Sequence, residues 1–364
     1  MWGAHIVSKG RSGRGRGDPS SFSSGPGSTE KGKGIFMRKV LRGGVPRLLR
    51  IAPAMAATLL VVGLLAACSG GAPGSGQRLS IATGGTGGVY FVYGGGLAEQ
   101  ITQNMEGYEA AAESTSASVD NMTLIGNEDS DMAFALADTA SDAVEGKESF
   151  EEPVPARALA QLYDNYTQVV ALEDSGIQTI EDLRGKRVSL GSPNSGTEVI
   201  ALRLLEAAGI NPDSDIERQP LSVEDSVAAI RDGTIDAFFW SGGLPTSSLT
   251  DLATSDPLVL LPTAEYAGAL QQEYGEAYKE APIPAGTYEG FDEEVQTIAV
   301  PNFLVVNESM DEETAYQITK LLFDRKAELE RVHPEAKNLD LEKAQDVAPL
   351  ELHPGAQRYY DEAG

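Results

Sequence analysis

The segment Leu79–Glu99, LSIATGGTGGVYFVYGGGLAE, most constrains the fold of this chain. A short apolar run (Leu79, Ile81, Ala82) leads into Thr83-Gly84-Gly85-Thr86-Gly87-Gly88, and an amphipathic segment follows. Strand, small-residue loop and helix together form the opening unit of an α/β fold. Glycines let a backbone approach a ligand closely. The unpaired N–H groups that begin a helix carry partial positive charge. The loop is therefore expected to seat a carboxylate or a phosphate.

The same plan returns about 105 residues later. Lys186–Thr197, KRVSLGSPNSGT, is again strand, small polar loop and helix start, and Thr197, Val199, Ile200, Leu202, Leu204 and Leu205 continue with helical periodicity. The hydroxyls of Ser192, Ser195 and Thr197 suit either a helix cap or a ligand. Two such loops in separate α/β halves predict two lobes, each giving one loop to a shared cleft. Apolar runs predict strands at 79–83, 108–113, 131–136, 157–163, 167–172, 186–190, 216–219, 235–240, 257–261 and 295–305. Helical patterns occupy 89–104, 117–127, 138–145, 195–208, 223–232, 245–254, 263–273, 311–331 and 354–362. The 311–331 pattern is the clearest, with Asp311 in its first turn and Ala315, Ile318, Leu321, Leu322 and Leu329 on one face.

Residues ahead of the first strand read differently. Met37–Cys68 has the form of a secretory signal: Arg38, Lys39, Arg42, Arg47 and Arg50, then an apolar stretch from about Ala54 to Leu64. It ends in Leu65-Ala66-Ala67-Cys68, which resembles the bacterial lipobox, so Cys68 is the expected lipidation site and 37–67 the removed signal. Ser69–Gly76 is rich in Gly, Ser and Pro, and 68–77 is expected to be a flexible tether. Residues 1–36 are expected to be an extension upstream of a true start at Met37, since Glu30-Lys31-Gly32-Lys33-Gly34 suits purine-rich codons of a ribosome-binding site. Peptide mapping that found residues 1–30 in the precursor would overturn that expectation.

The first 67 residues hold 11 of the 28 Lys and Arg and two of the 54 Asp and Glu, leaving 17 basic against 52 acidic residues, a net charge of −35. That balance disfavours a nucleic-acid partner, which needs basic patches, and none is expected. Cys68 is the sole cysteine, so an intramolecular disulfide or a Cys-based metal site is excluded. His5 precedes the signal, and His333 and His353 lie near the C-terminus, so a His-centred triad or zinc site in the core is not expected.

The first loop is not a phosphate-binding P-loop, because no Lys-Ser/Thr follows its glycines. It is also a poor dinucleotide fingerprint, since Tyr90 stands where the third glycine belongs. Glu128-Asp129, Glu151-Glu152 and Asp292-Glu293-Glu294 read as solvated acidic faces. No nucleophile–base pair, cofactor or metal is expected, which leaves a binding protein ahead of an enzyme of unknown chemistry.

Four segments carry a family resemblance: TGGTGGVYFVYGGGLA, STSASVDNMTLIGNEDSDMAFALAD, DSGIQTIEDLRGKRVSLGSPNSGTEV and IDAFFWSGGLPTSSLTDLA. In this order and spacing, from about 79 to 330, they resemble the TAXI family of TRAP-transporter-associated extracytoplasmic solute receptors. The DSGI…DLRGKRV stretch is similar to the opening of the second lobe in periplasmic solute-binding proteins. The resemblance implies a two-lobed type II periplasmic-binding-protein fold with a hinge of crossing strands. Lobe 1 would comprise 78–172 and 295–364, and lobe 2 would comprise 173–294. It implies no enzymatic activity, a lipid-anchored position on the extracytoplasmic face of the cell membrane, and delivery of ligand to a TRAP-type permease membrane subunit. A surface lipoprotein or sensor that binds a small ligand without transport is the alternative.

Carried onto this sequence, the resemblance implies a first-lobe wall of Gly85, Thr86, Gly87, Gly88 and Tyr90. Ser116, Ser118 and Asn121 would form a second anchor, and Tyr163 would close over the ligand. Ser192, Asn194, Ser195, Gly196 and Thr197 would grip from the second lobe, with Trp240, Gly242 and Gly243 beside them. Relatives bind glutamate, glutamine or dicarboxylates. An arginine clamp for a dicarboxylate is missing, since only Lys147 and Arg157 are basic between Leu79 and Leu183. Glutamate or glutamine is therefore expected ahead of a dicarboxylate, with Asp164 or Glu198 as the partner of an ammonium.

Overall fold

The computed structural model describes residues 76–364. The signal, Cys68 and the tether up to residue 75 lie outside the described residues. Gln77, expected in the tether, already opens the first strand.

The first half runs β1 (Gln77–Ala82), α1 (Val89–Asn104), β2 (Tyr108–Glu113), α2 (Ser118–Gly126), β3 (Met132–Leu136), α3 (Ala137–Glu145) and the long β4 (Ala156–Leu172). The second half runs β5 (Arg187–Ser189), α4 (Gly196–Ala207), β6 (Glu217–Gln219), α5 (Val223–Arg231), β7 (Ala237–Gly242), α6 (Ser247–Ala253), β8 (Leu258–Leu261), α7 (Ala267–Tyr274) and β9 (Lys279–Ile283). The chain returns through β10 (Val295–Asn307) and ends in α8 (Glu312–Asp324), α9 (Lys326–Val332) and α10 (Pro354–Ala363).

The strands form one mixed sheet in the order β2-β1-β3-β10-β4-β7-β5-β6, with β8 beside β4 and β9 beside β10. In the first half β1 lies between β2 and β3, all parallel. In the second half β5 lies between β6 and β7, again all parallel. Both halves are thus the same βαβαβ unit with its first strand in the middle. Antiparallel β4 and β10 join them. This is the expected α/β architecture of two halves linked by crossing strands. β3 is buried along its whole length and β10 along nearly all of it, which accounts for their unbroken apolar runs.

Three expectations need correction. The strands drawn at 157–163 and 167–172 are one strand, β4. Asp164-Asn165-Tyr166 reads as a polar break, but Asn165 Nδ2 donates to the Ser241 carbonyl (3.1 Å) and its Oδ1 accepts from Asn302 Nδ2 (2.8 Å), so the chain stays extended. β4 changes partner from β10 to β7 at Tyr166. The 311–331 helix breaks at Arg325 (φ −112, ψ 16). There α8 stays against α10 while α9 turns toward α1, where Val332 closes on Gly96. A Cβ on Gly96 would stand 2.9 Å from both Val332 methyls, and one on Gly94 would stand 2.6 Å from Thr83 Cγ2. Those two contacts explain glycines in a helix interior, where each costs about 1 kcal/mol against alanine. The third correction is β9, a short sheet-edge strand that escapes a pattern search because Lys279 and Glu280 are exposed and Pro282 interrupts it.

One apolar cluster spans both halves, bringing Ala135 and Leu136 together with Ile200, Leu204, Phe239 and Phe303. A second gathers Tyr93, Leu97 and Ile101 of α1 with Phe134, Leu304 and Leu322. The third lies under α5 and α6, with Val227, Ile230, Leu249 and Leu252 against Val170 and Phe238.

Candidate functional site

A cleft opens where the carboxyl ends of the parallel strands of both halves face each other. Strand-to-helix turns collect at such ends in open α/β sheets, and ligands bind there. Three turns come from each half. β1–α1, β2–α2 and β3–α3 oppose β5–α4, β6–α5 and β7–α6, and the strand β4 supplies Tyr163 and Asn165. The cavity between them is about 50 Å³. The halves are nearly shut, with room for a few waters.

Most of the expected residues meet here. From the first half, Gly85, Gly88, Tyr90, Ser116 and Ser118 line the cleft. From the second, Ser192, Ser195, Gly196 and Thr197 line it, with Trp240 and Gly242 alongside. Ser118 Oγ accepts from Leu136 N–H (3.1 Å), Ser195 Oγ caps α4 through Glu198 N–H (3.0 Å), and Thr197 Oγ1 accepts from Ser241 N–H (3.2 Å). These bonds fix the hydroxyls as part of the wall. Trp240 Nε1 donates to Thr246 Oγ1 (2.9 Å), which pins the indole.

Five residues are placed differently. Asn121 is wholly buried and donates to the carbonyls of Thr83 (2.7 Å) and Phe134 (2.8 Å), so it ties β1 to β3 rather than facing the cleft. Asn194 takes a left-handed conformation (φ 63) and turns outward. Its N–H donates to Glu198 Oε2 (2.8 Å) and its carbonyl accepts from Asp120 N–H (3.2 Å). Gly243 faces Glu335, whose Cγ would stand 2.7 Å from an added Cβ. Thr86 and Gly87 stand outside the lining and reach Glu224 of the opposite half.

Glu224 is the charged lining residue that the sequence analysis missed, along with Asn165, Ser222 and Ser241. It sits with Ser222 and Val223 at β6–α5, the counterpart of Ser116–Ser118 in the other half. Ser222-x-x-Asp225 is a helix start in which Ser222 Oγ accepts from Asp225 N–H (3.1 Å), and that cap was the available signal. Leu136, at β3–α3, lines the cleft as well and was also missed. Glu224 accepts from Gly87 N–H in a short bond and from Thr86 Oγ1 at 3.4 Å. Asp164 and Glu198, expected as ammonium partners, do not line the cleft. Glu198 pairs with Arg218, and Asp164 faces an outer groove beside Lys343, where burial raises its carboxyl above the ordinary range.

Two hydroxyls stand out. Tyr163 and Ser241 line the cleft and are buried (2% and 5% exposed), and their hydroxyls have no hydrogen-bond partner among the described residues. An unmade bond at a buried polar group costs about 1–3 kcal/mol. Burial holds both Tyr163 and Tyr90 phenols well above their ordinary value, so both are protonated donors. Tyr90 donates to Asn302 Oδ1.

The two halves also meet outside the cleft. Arg203 of α4 is buried and contacts Asp142 (2.6 Å), Asp138 (3.7 Å) and Tyr278 Oη (2.9 Å), while Tyr278 donates to Asp138 (2.7 Å). Burial opposes the Arg203 charge, but Tyr278, Asp138 and Asp142 outweigh it. Burial pushes the Asp142 carboxyl up to about 6. His333 and His353 are helix caps, each accepting a backbone N–H on Nδ1 (3.2 Å).

A model of the NMT1-like family matches residues 81–364. Among solved structures, the chain resembles the periplasmic aliphatic sulphonate binding protein SsuA from Escherichia coli at 14% identity and a TM-score of 0.45, over 78% of this chain and 83% of that one. It also resembles a putative L-cystine ABC transporter protein from Listeria monocytogenes, at 12% identity and a TM-score of 0.45, over 72% and 98% of the two chains. A protein of glutathione import from Streptococcus mutans matches at 10% identity and a TM-score of 0.46, over 72% and 95%.

Proposed function

The chain belongs to the NMT1-like family, and we propose that it is an extracytoplasmic solute receptor that captures a small amino acid or organic acid between its halves. The observation that carries this reading is the pair of unpartnered, buried hydroxyls, Tyr163 and Ser241, in a cleft built from six strand–helix turns. A ligand supplies the bonds that these groups lack. The Gly85 amide and the wall hydroxyls offer further donors, while the Gly88 N–H is given to the Gly85 carbonyl (3.0 Å). The sheet supports closure: β4 and β10 connect the halves, and bending there opens the cleft. Ligand bridging both halves shifts the population toward the closed form.

Finer features follow from the motif resemblance. We propose a TAXI-type receptor that serves a TRAP-type permease and is held to the membrane by a lipid on Cys68. Its hinge divides 78–172 plus 295–364 from 173–294. Glutamate or glutamine is the favoured ligand class, and a keto- or dicarboxylate comes second. The site residues proposed to touch ligand are Gly85, Gly88, Tyr90, Tyr163, Ser195 and Thr197, with Trp240 and Ser241 completing the wall. No chemical step is assigned to them.

A thermal-shift and calorimetric screen of amino acids and organic acids tests this reading. A true ligand raises the melting point by mass action, about 2.7 kcal/mol at a hundredfold excess over Kd. Absence of a shift across the panel, with no small molecule found by mass spectrometry of the purified protein, sinks it.

A further inference from the structure

Glu224 is the one charged side chain lining the cleft among the described residues, and no lysine or arginine lines it. Its carboxylate already uses the anion-seeking end of the glycine loop, through Gly87 N–H and Thr86 Oγ1. A Cβ on Gly87 would stand 2.8 Å from Glu224 Oε1, so the acid lies hard against that backbone. The partial positive charge that the sequence assigns to an incoming anion is thus met by the protein's own acid. A ligand of purely negative charge must displace Glu224 or lie beside it, where like charges repel. A ligand that carries a cation meets a ready partner.

We propose that Glu224 is the specificity-determining residue of the cleft: it selects solutes that bring an ammonium group and rejects dianionic acids. The same carboxylate bridges the halves, joining α5 of the second half to the first loop. This inference rests on the receptor reading above. It adds a ranking by ligand charge, and it replaces Asp164 and Glu198 as the ammonium partner. The strongly acidic surface acts in the same direction, because it repels free dianions at long range.

The test is calorimetric titration of wild type, Glu224→Gln and Glu224→Asp with L-glutamine, L-glutamate, 2-oxoglutarate and succinate. Wild type is expected to bind an amino acid at least tenfold more tightly than 2-oxoglutarate or succinate. Glu224→Gln should shrink that ratio at least tenfold, and Glu224→Asp, which keeps the charge, should largely preserve it. A ratio within twofold of wild type in Glu224→Gln overturns the proposal while leaving the receptor reading intact. Failure of all four probes to bind wild type overturns the proposal, and the receptor reading falls with it only if the wider panel and mass spectrometry also find no ligand. Small-angle scattering without added ligand checks the bridge separately. The radius of gyration should rise in Glu224→Gln, and an unchanged value overturns the bridging role. Circular dichroism melting confirms that the variants fold.

Discussion

Gly88 and Trp240 meet across the cleft: a Cβ added to Gly88 would stand 3.1 Å from Trp240 Cη2. Gly88 starts α1 in the first half, and Trp240 lies on β7 in the second. The glycine that caps α1, its N–H given to the Gly85 carbonyl (3.0 Å), is thus also the surface on which the opposite indole rests. Gly196 makes a tighter version of this contact, since its added Cβ would fall 2.5 Å from Leu136 Cδ1 and 2.7 Å from Ser118 Oγ.

Gly196→Ala should therefore separate folding from closure. Alanine favours the first turn of α4 by up to about 1 kcal/mol within its own half. The same methyl collides with the other half when the cleft shuts. The expected result is ligand affinity reduced at least tenfold and a larger radius of gyration in solution scattering, with a melting point held within a few degrees. Unchanged affinity would contradict the closed contact.

Tyr163→Phe and Ser241→Ala remove hydroxyls that lack partners. Without ligand, each should leave the melting point unchanged or raise it, because an unsatisfied buried group costs about 1–3 kcal/mol. With ligand, each should weaken binding by about tenfold, the worth of a net hydrogen bond of roughly 1.4 kcal/mol. Loss of stability without loss of affinity would assign both hydroxyls to the core.

Arg203→Met breaks the buried contact with Asp138 and Asp142. Removing one partner of a buried ion pair costs about 3–5 kcal/mol, which for a chain of this size lowers the melting point by about 10 °C. Differential scanning fluorimetry reads it. A drop of only one or two degrees would show that the cluster contributes little.

His353 is a neutral cap. Nδ1 accepts from Gly355 N–H and Nε2 meets the Met310 carbonyl at 3.0 Å, so protonation would set a proton against the Gly355 N–H. Burial lowers its pKa below the ordinary 6.5. Its contribution to stability is therefore complete above pH 6.5 and is lost as the pH falls through the folded-state value. His353→Asn keeps an oxygen cap and removes the titration. The fall in melting temperature between pH 7 and pH 5 should be shallower in this variant, and an identical slope would rule His353 out.

The architecture was legible because its signals are local and periodic. The loops at Thr83–Gly88 and Ser192–Thr197 announce strand ends, and the apolar runs of β3 and β10 announce central strands. The site was legible where glycines and hydroxyls cluster in sequence. Glu224 was not, because one acid in an acidic chain carries no local mark. Its meaning comes from a bond to Gly87, 137 positions away. Asn121 and Gly243 misled for the opposite reason. They adjoin cleft residues in sequence, but one ties strand ends together and the other makes room for Glu335. The continuity of β4 through Asp164-Asn165-Tyr166 was hidden because the side-chain bonds that hold it extended come from Ser241 and Asn302, distant in sequence.

The matched plan of the halves has a consequence for how such a protein can change. Six short turns carry the cleft, while the sheet and its apolar clusters carry the fold. On the receptor reading, a substitution in one turn, at Ser116, Ser192 or Glu224, would alter what is recognised without disturbing the strand order beneath. Preference for a new solute can therefore be acquired one turn at a time, from either side, with the scaffold inherited intact.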